Sequence, residues 1–167
     1  MRLFVAINLS ENIKNALLKA QSDLKNQGFY GNFTRRENMH LTLAFIGETE
    51  KRFKAVDALK KISFERFELS LGTYGNFRDL WWVGVEKNKA LEKLACETAE
   101  SLRSAEFEIE RRAFKPHITL ARELKGQGKP NVSLPECKMT CEKISLMSSE
   151  RTAGKLIYRE IFFKTCE

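Results

Sequence analysis

The chain contains two histidines, and both open the same five-residue pattern: His40-Leu41-Thr42-Leu43-Ala44 and His117-Ile118-Thr119-Leu120-Ala121. In a β-strand side chains alternate between faces, so a His and the Thr two residues later point the same way. The intervening Leu41, Leu43, Ile118 and Leu120 then turn toward a core. Each half of the chain thus presents an imidazole beside a hydroxyl. If the two strands meet, two His and two Thr converge on one cleft. Two imidazoles facing one site suit proton transfer near neutral pH, one taking a proton from a nucleophile while the other gives one to a leaving group. The Thr hydroxyls can donate hydrogen bonds to oxygens on which charge develops. Phosphodiester chemistry needs this set and no metal. Taken singly, a His in an apolar strand is more often a hydrogen-bonded core residue, and a Thr there is an ordinary strand residue. The duplication is what reverses the odds.

No metal site or cofactor is expected. Two His without a positioned carboxylate supply too few ligands. Cys96, Cys137, Cys141 and Cys166 form no C-x-x-C pair, and they read as reduced, buried thiols. Arginine pairs precede both motifs, Arg35-Arg36 and Arg111-Arg112, and Lys115 and Arg122 flank the second. A basic rim around a phosphate would explain them, and so would a solvated charged loop. Arg122 is the best candidate for the site, yet strict alternation puts it on the face opposite His117. It reaches the site only where the strand ends or bulges after Ala121. Phe33, Phe45, Trp81 and Trp82 are candidates to stack on a base, with core packing the commoner fate of each alone.

The elements that must position these residues can be read along the chain. Residues 2–8 read as a strand buried on both faces. Ser10 caps a helix over about 11–27, with Ile13, Leu17, Ala20 and Leu24 on one stripe, and Gly28 ends it. The first motif forms a strand over 40–46 closed by Gly47, and a helix follows over roughly 50–62. Phe67, Leu69 and Leu71 alternate with polar residues as a half-exposed strand, a turn falls near Gly75-Asn76, and Leu80 to Val85 is the next strand. Leu91, Leu94, Ala95, Thr98 and Leu102 form the stripe of a third helix. Pro116 precedes the strand of the second motif, and residues 123–135, with two Gly and two Pro, read as a loop. Two strands near 138–147 and 155–164 finish the chain, the first with a bulge near Glu142-Lys143. Long strands mixed irregularly with three helices argue an α+β fold. No low-complexity linker divides residues 1–167, which read as a single domain, with room for two lobes.

Composition sets the outer bounds. With 167 residues, 43% of them apolar and 31% charged, the chain is a globular protein and not a disordered one. The net charge of +7 favours anionic partners such as nucleic acid or phosphorylated small molecules. No apolar run approaches the ~18 residues of a membrane span, and no secretory signal opens the chain, so a cytoplasmic protein with no membrane partner is expected.

The paired motifs resemble the two-histidine phosphoesterases, and the flanking segments resemble one branch, the bacterial RNA 2′,3′-cyclic phosphodiesterases, also called 2′-5′ RNA ligases. The likeness covers Arg2 to Ile7, Glu37 to Leu43, Phe45 to Glu48, Phe114 to Arg122, Ser149-Glu150 and Gly154 to Tyr158. The resemblance implies a bilobal, pseudo-symmetric fold of two antiparallel sheets with helices outside and one motif from each lobe facing a central cleft. It implies hydrolysis of a terminal 2′,3′-cyclic phosphate to a 2′-phosphate, with ligation as the reverse. It makes His117 the base that activates water and His40 the acid that protonates the departing 3′ oxygen. Thr42 and Thr119 then hold the phosphate, Arg122 assists, and no cofactor is needed. The expected partner is an RNA end or nucleotide carrying a cyclic phosphate, acted on by a monomer. Two alternatives stay open: the same site acting on a small cyclic nucleotide, a 2′-5′ oligonucleotide or a cyclic phosphate of ADP-ribose, and a non-catalytic RNA-binding module.

Overall fold

A computed structural model describes all residues 1–167. Thirteen short-range choices along the chain resolve into two antiparallel sheets and three α-helices, the α+β architecture expected. The first sheet has the order β3-β1-β8-β9, built from β1 (Arg2–Asn8), β3 (His40–Glu48), β8 (Lys143–Thr152) and β9 (Lys155–Thr165). The second has the order β2-β6-β5-β4-β7, built from β2 (Tyr30–Phe33), β4 (Phe67–Phe77), β5 (Leu80–Val85), β6 (His117–Lys125) and β7 (Lys138–Cys141). The motif strands β3 and β6 lie in different sheets and pack against each other.

Helix α1 (Glu11–Asn26) covers β2, β6 and β7, while α2 (Arg52–Lys60) and α3 (Lys89–Ser104) pack together against β9 and β3. The stripe residues of α3 expected from the sequence are its buried ones. Apolar alternation on β1 sets the two faces of the first sheet. Leu3, Val5 and Ile7 join the main core, whereas Phe4 and Ala6 join Met147 and Tyr158 on the cleft side. No helix is long and apolar enough to cross a membrane.

Several expectations are corrected. Ser10 occupies the N-cap of α1, but its hydroxyl bonds the Asn12 side chain and caps no backbone amide. Gly28 does end the helix, at φ +88°. Gly47 does not close β3. It pairs with Leu3 inside the strand at φ +89°, next to a bulge at Ile46. Gly75-Asn76 is no turn, since β4 continues to Phe77. A Cβ on Gly75 would lie 2.6 Å from the Trp82 ring, so the glycine makes room for a large cross-strand neighbour. Strand β6 runs on to Lys125, three residues into the expected loop. Glu142 marks a change of sheet, not a bulge: β7 pairs with β4 and β8 with β1 and β9. Of the four free thiols only Cys141 is buried, which pushes its pKa up to about 12, and Cys96 is exposed.

Candidate active site

His40 opens β3 at the edge of the first sheet. A short 3₁₀ turn, Arg36–Asn38, delivers it, and Asn38 Nδ2 ties that turn to the Leu156 carbonyl of β9 at 2.9 Å. The Asn38 carbonyl lies 2.7 Å from His40 Nδ1. A carbonyl only accepts, so Nδ1 carries a proton and Nε2 is the edge that gains and loses one. Nε2 sits 2.9 Å from Thr42 Oγ1, the neighbour expected from strand alternation. Phe4 and Tyr158 wall the ring, with centroids 4.9 Å and 5.2 Å away. Burial pushes the His40 pKa below its ordinary value. The bond to Asn38 opposes that shift, and the charges of His117 and Arg122 add to it.

His117 repeats the arrangement in the second sheet. Its Nδ1 donates to the Lys115 carbonyl, again two residues back and again at 2.7 Å. Its edge-on aromatic neighbour is Phe77 at 5.2 Å and 83°, as Tyr158 is for His40 at 5.2 Å and 86°. Trp82 stands behind, 6.4 Å from His117 and 5.3 Å from Phe77, with its Nε1 buried and unpartnered.

Each motif strand carries a bulge at the same place. On β3, Val5 and Ala6 pair with Ala44 and Thr42, which leaves Leu43 as the extra residue. On β6, Trp81 and Trp82 pair with Ala121 and Thr119, which leaves Leu120 extra. A bulge reverses the alternation beyond it. Leu120 and Ala121 are therefore both buried, and Arg122 returns to the face of His117 and Thr119. Its charge bears on both His40 and Tyr158. The strand neither ends nor bulges after Ala121, as strict alternation required; the extra residue is Leu120, one position earlier, and it removes the parity objection to Arg122. Phe45 holds the matching position on β3, half exposed. The extra carbonyl at Leu120 is satisfied twice, by the Thr34 amide at 2.9 Å and by Nε2 of the buried Gln21 at 3.0 Å.

The other rim candidates divide. Arg36 is engaged with Glu11 and Asn15 on α1, Arg35 with Glu37 and the Leu156 carbonyl, and Arg112 with Glu110 in its own loop. Arg111 and Lys115 are exposed. Phe33 and Trp81 pack against the core, while Phe45 and Trp82 stand at the cleft. Sequence reasoning gave no role to Phe4, Phe77 and Tyr158, whose contacts to the imidazoles are all long-range. No three His, Cys, Asp or Glu side chains cluster as metal ligands.

Two His-x-Thr strands, one from each antiparallel sheet and close enough for one imidazole's charge to bear on the other, define a two-histidine phosphoesterase. The sequence pattern of the 2′-5′ RNA ligase superfamily matches residues 11–153, and the chain belongs to that superfamily. It is 28% identical to an RNA 2′,3′-cyclic phosphodiesterase of Thermotoga maritima, over 97% of this chain and 94% of the relative. It is 34% identical to one from Methanocaldococcus jannaschii, over 73% and 71% of the two chains. The crystal structure of Escherichia coli LigT in its apo form superposes with a TM-score of 0.82 at 26% identity, covering 99% of this chain and 96% of that one.

Proposed function

We propose that this chain hydrolyses the 2′,3′-cyclic phosphate at an RNA end, leaving a 2′-phosphate and a free 3′ hydroxyl. The observation that carries this reading is the pair of imidazoles held alike, each with Nδ1–H on a carbonyl two residues back and Nε2 left for proton transfer. His117 Nε2 takes a proton from water as the water oxygen bonds to phosphorus. The bond from phosphorus to O3′ breaks, and O3′ takes the proton of His40 Nε2. Thr42 and Thr119 donate to the non-bridging oxygens, and Arg122 supplies positive charge as those oxygens gain electron density. In the neutral form His40 Nε2 accepts from Thr42 Oγ1–H; once Nε2 is protonated that bond is given up, so Nε2–H faces O3′ and the Thr42 hydroxyl proton turns to the phosphate. The step balances with water and side chains alone, so no cofactor enters. Run backwards, with the two His exchanging roles, it joins a 2′-phosphate end to a 5′ hydroxyl or closes the cycle.

The named activity of the relatives in Thermotoga and Methanocaldococcus supports the reading, as does LigT crystallised with 3′-AMP. Each sheet supplies one motif, so residues 1–167 act together as one two-lobed domain, and one copy suffices. The test is incubation with a 5′-labelled oligonucleotide ending in a 2′,3′-cyclic phosphate, with and without EDTA, followed by assignment of the product phosphate. A 2′-phosphate formed equally in both is expected. Formation of a 3′-phosphate, or dependence on a divalent ion, overturns the mechanism. Binding without turnover would leave an RNA-binding module.

A further inference from the structure

We infer that the site favours an oligonucleotide over a mononucleotide, because the phosphates preceding the cyclic end run over Arg2, Phe45 and Arg151 on the cleft face of the first sheet. The inference rests on the proposed roles of the two His and deepens them. Oxygen O3′ is attached to the ribose carbon next to the one that carries the 5′ chain. The strand therefore leaves the site on the side of the departing oxygen, which is the His40 side. Water enters opposite, at His117.

On that side one face of a single strand pair leads away from the imidazole. The bulges at Leu43 and Ile46 set His40, Thr42, Phe45 and Glu48 opposite Asn8, Ala6, Phe4 and Arg2. From Ala6 to Arg2 is four residues, about 13 Å at ~3.3 Å per residue. Strand β8 places Ser149 beside Arg2, with Arg151 two residues further on, and β9 places Tyr158 beside Ser149. The charges of Arg122, Arg2 and Arg151 all bear on the Tyr158 phenol.

These three guanidinium groups form no ion pair, in common with Arg52, Arg78, Arg111 and Arg159 and unlike Arg35, Arg36, Arg66, Arg103 and Arg112; what sets the three apart is that all of them bear on Tyr158 at the cleft. Glu48, the carboxylate opposite Arg2, accepts from the terminal ammonium at 3.0 Å. Arg2 lies instead over the Phe45 ring, 5.0 Å from its centroid, and that ring is 49% exposed. An exposed aromatic face beside unpaired cations is the chemistry of single-stranded nucleic acid: a surface for a base and charges for the backbone. A mononucleotide carrying only its cyclic phosphate is held by the His, Thr and Arg122 groups and leaves Arg2 and Arg151 unused.

The experiment compares a hexanucleotide 2′,3′-cyclic phosphate with a nucleoside 2′,3′-cyclic phosphate on the wild type, on Arg2→Gln/Arg151→Gln and on Phe45→Ala. Lys93→Gln, on the helix layer, is the control for losing a positive charge away from the cleft. The wild type is expected to favour the hexamer. In the arginine double variant the hexamer KM rises about fivefold or more with kcat held, and the salt slope of log KM shrinks by ~0.7 per lost phosphate contact. The ratio of hexamer to mononucleotide kcat/KM falls accordingly, and falls again in Phe45→Ala. Equal kcat/KM for the two substrates in the wild type, equal losses on both in the variants, or the same loss in Lys93→Gln overturns the inference. Absence of turnover on both substrates is failure of the catalytic reading instead. Anisotropy of a labelled hexamer ending in a 2′-phosphate then decides the surface. Affinity lost in the arginine double variant and kept in Lys93→Gln supports it, and affinity unchanged in both overturns it.

Discussion

The imidazole of His40 meets the phenol ring of Tyr158 edge-on, with centroids 5.2 Å apart and planes at 86°. Tyr158 also meets Phe4 edge-on at 5.0 Å, so the two rings close the apolar side of His40 together. Their bulk is a source of the burial that lowers the His40 pKa, and no carboxylate is among the groups that move it. In the free protein at neutral pH, His40 is neutral. A bound phosphate, being negative, favours the charged ring and moves the pKa back up.

The first prediction follows from that wall. Tyr158→Ala admits water to His40 and raises its pKa toward the ordinary value near 6.5, whereas Tyr158→Phe keeps the ring and the shift. With two histidines in the chain, NMR titration of the imidazole protons reads both directly. The alkaline limb of kcat/KM, which reports the acid in the free enzyme, is displaced to lower pH by the burial of His40 in the wild type and moves up in Tyr158→Ala. Stability moves with it. Between the native pKa and ~6.5 the unfolded chain binds the proton that the folded chain refuses, so folding weakens as pH falls through that window. Tyr158→Ala reduces this pH dependence. An unmoved His40 resonance in Tyr158→Ala would refute the assignment of the shift to this wall.

The second prediction separates acid from base. His40→Ala and His117→Ala each lose about 10²–10⁴-fold in turnover while remaining folded. The residual rate of His40→Ala keeps its acidic limb and loses the alkaline one, and His117→Ala does the reverse. The opposite pattern exchanges the two roles. A flat rate from pH 5 to 9 with chemistry rate-limiting would remove both. Because the imidazoles feel one another, the wild-type values belong to the pair.

The duplicated His-x-Thr pattern and the apolar stripes of the helices were legible because they are local, set by alternation and helical period. What escaped was set by partners distant in sequence. Tyr30–Phe33 is a four-residue edge strand with mostly exposed side chains, so no pattern marks it. Gly75 looks like a turn residue until Trp82 is placed across from it. The break at Glu142 depends on β7 and β8 finding different sheets. Arg122 shows the boundary most sharply. Alternation alone sends it away from the site, and only the pairing of β5 with β6 reveals the extra residue that brings it back.

The third prediction contrasts the two threonines. Thr119 has no side-chain hydrogen bond to another group of the protein, and Thr42 Oγ1 is 2.9 Å from His40 Nε2. Both alanine variants slow turnover, by about 10²-fold or more where a donor to the developing charge is lost. Thr42→Ala alone also shifts the His40 titration. Serine at either position restores rate, since it keeps the hydroxyl. Loss of affinity with kcat unchanged would mean that the hydroxyls bind ground state and transition state alike.

The last prediction reaches the site through Gln21, a buried side chain on α1 that touches no reacting group. Its Nε2 donates to the Thr34 carbonyl at 2.7 Å and to the Leu120 carbonyl at 3.0 Å. Leu120 is the bulge residue on which the direction of Arg122 depends. Gln21→Leu keeps the volume and removes the donor, leaving buried carbonyls short of a partner at a cost of about 1–3 kcal/mol. The Thr34 amide still holds Leu120, so the variant folds, with a lower Tm. If Gln21 also fixes the bulge, the loss appears in kcat, and it overlaps with the loss from Arg122→Ala. The Gln21→Leu/Arg122→Ala double variant is then no slower than Arg122→Ala alone, and Gln21→Glu recovers little because its carboxylate repels the same carbonyls. Additive losses in the double variant would mean that Gln21 supports the fold and leaves Arg122 where it was.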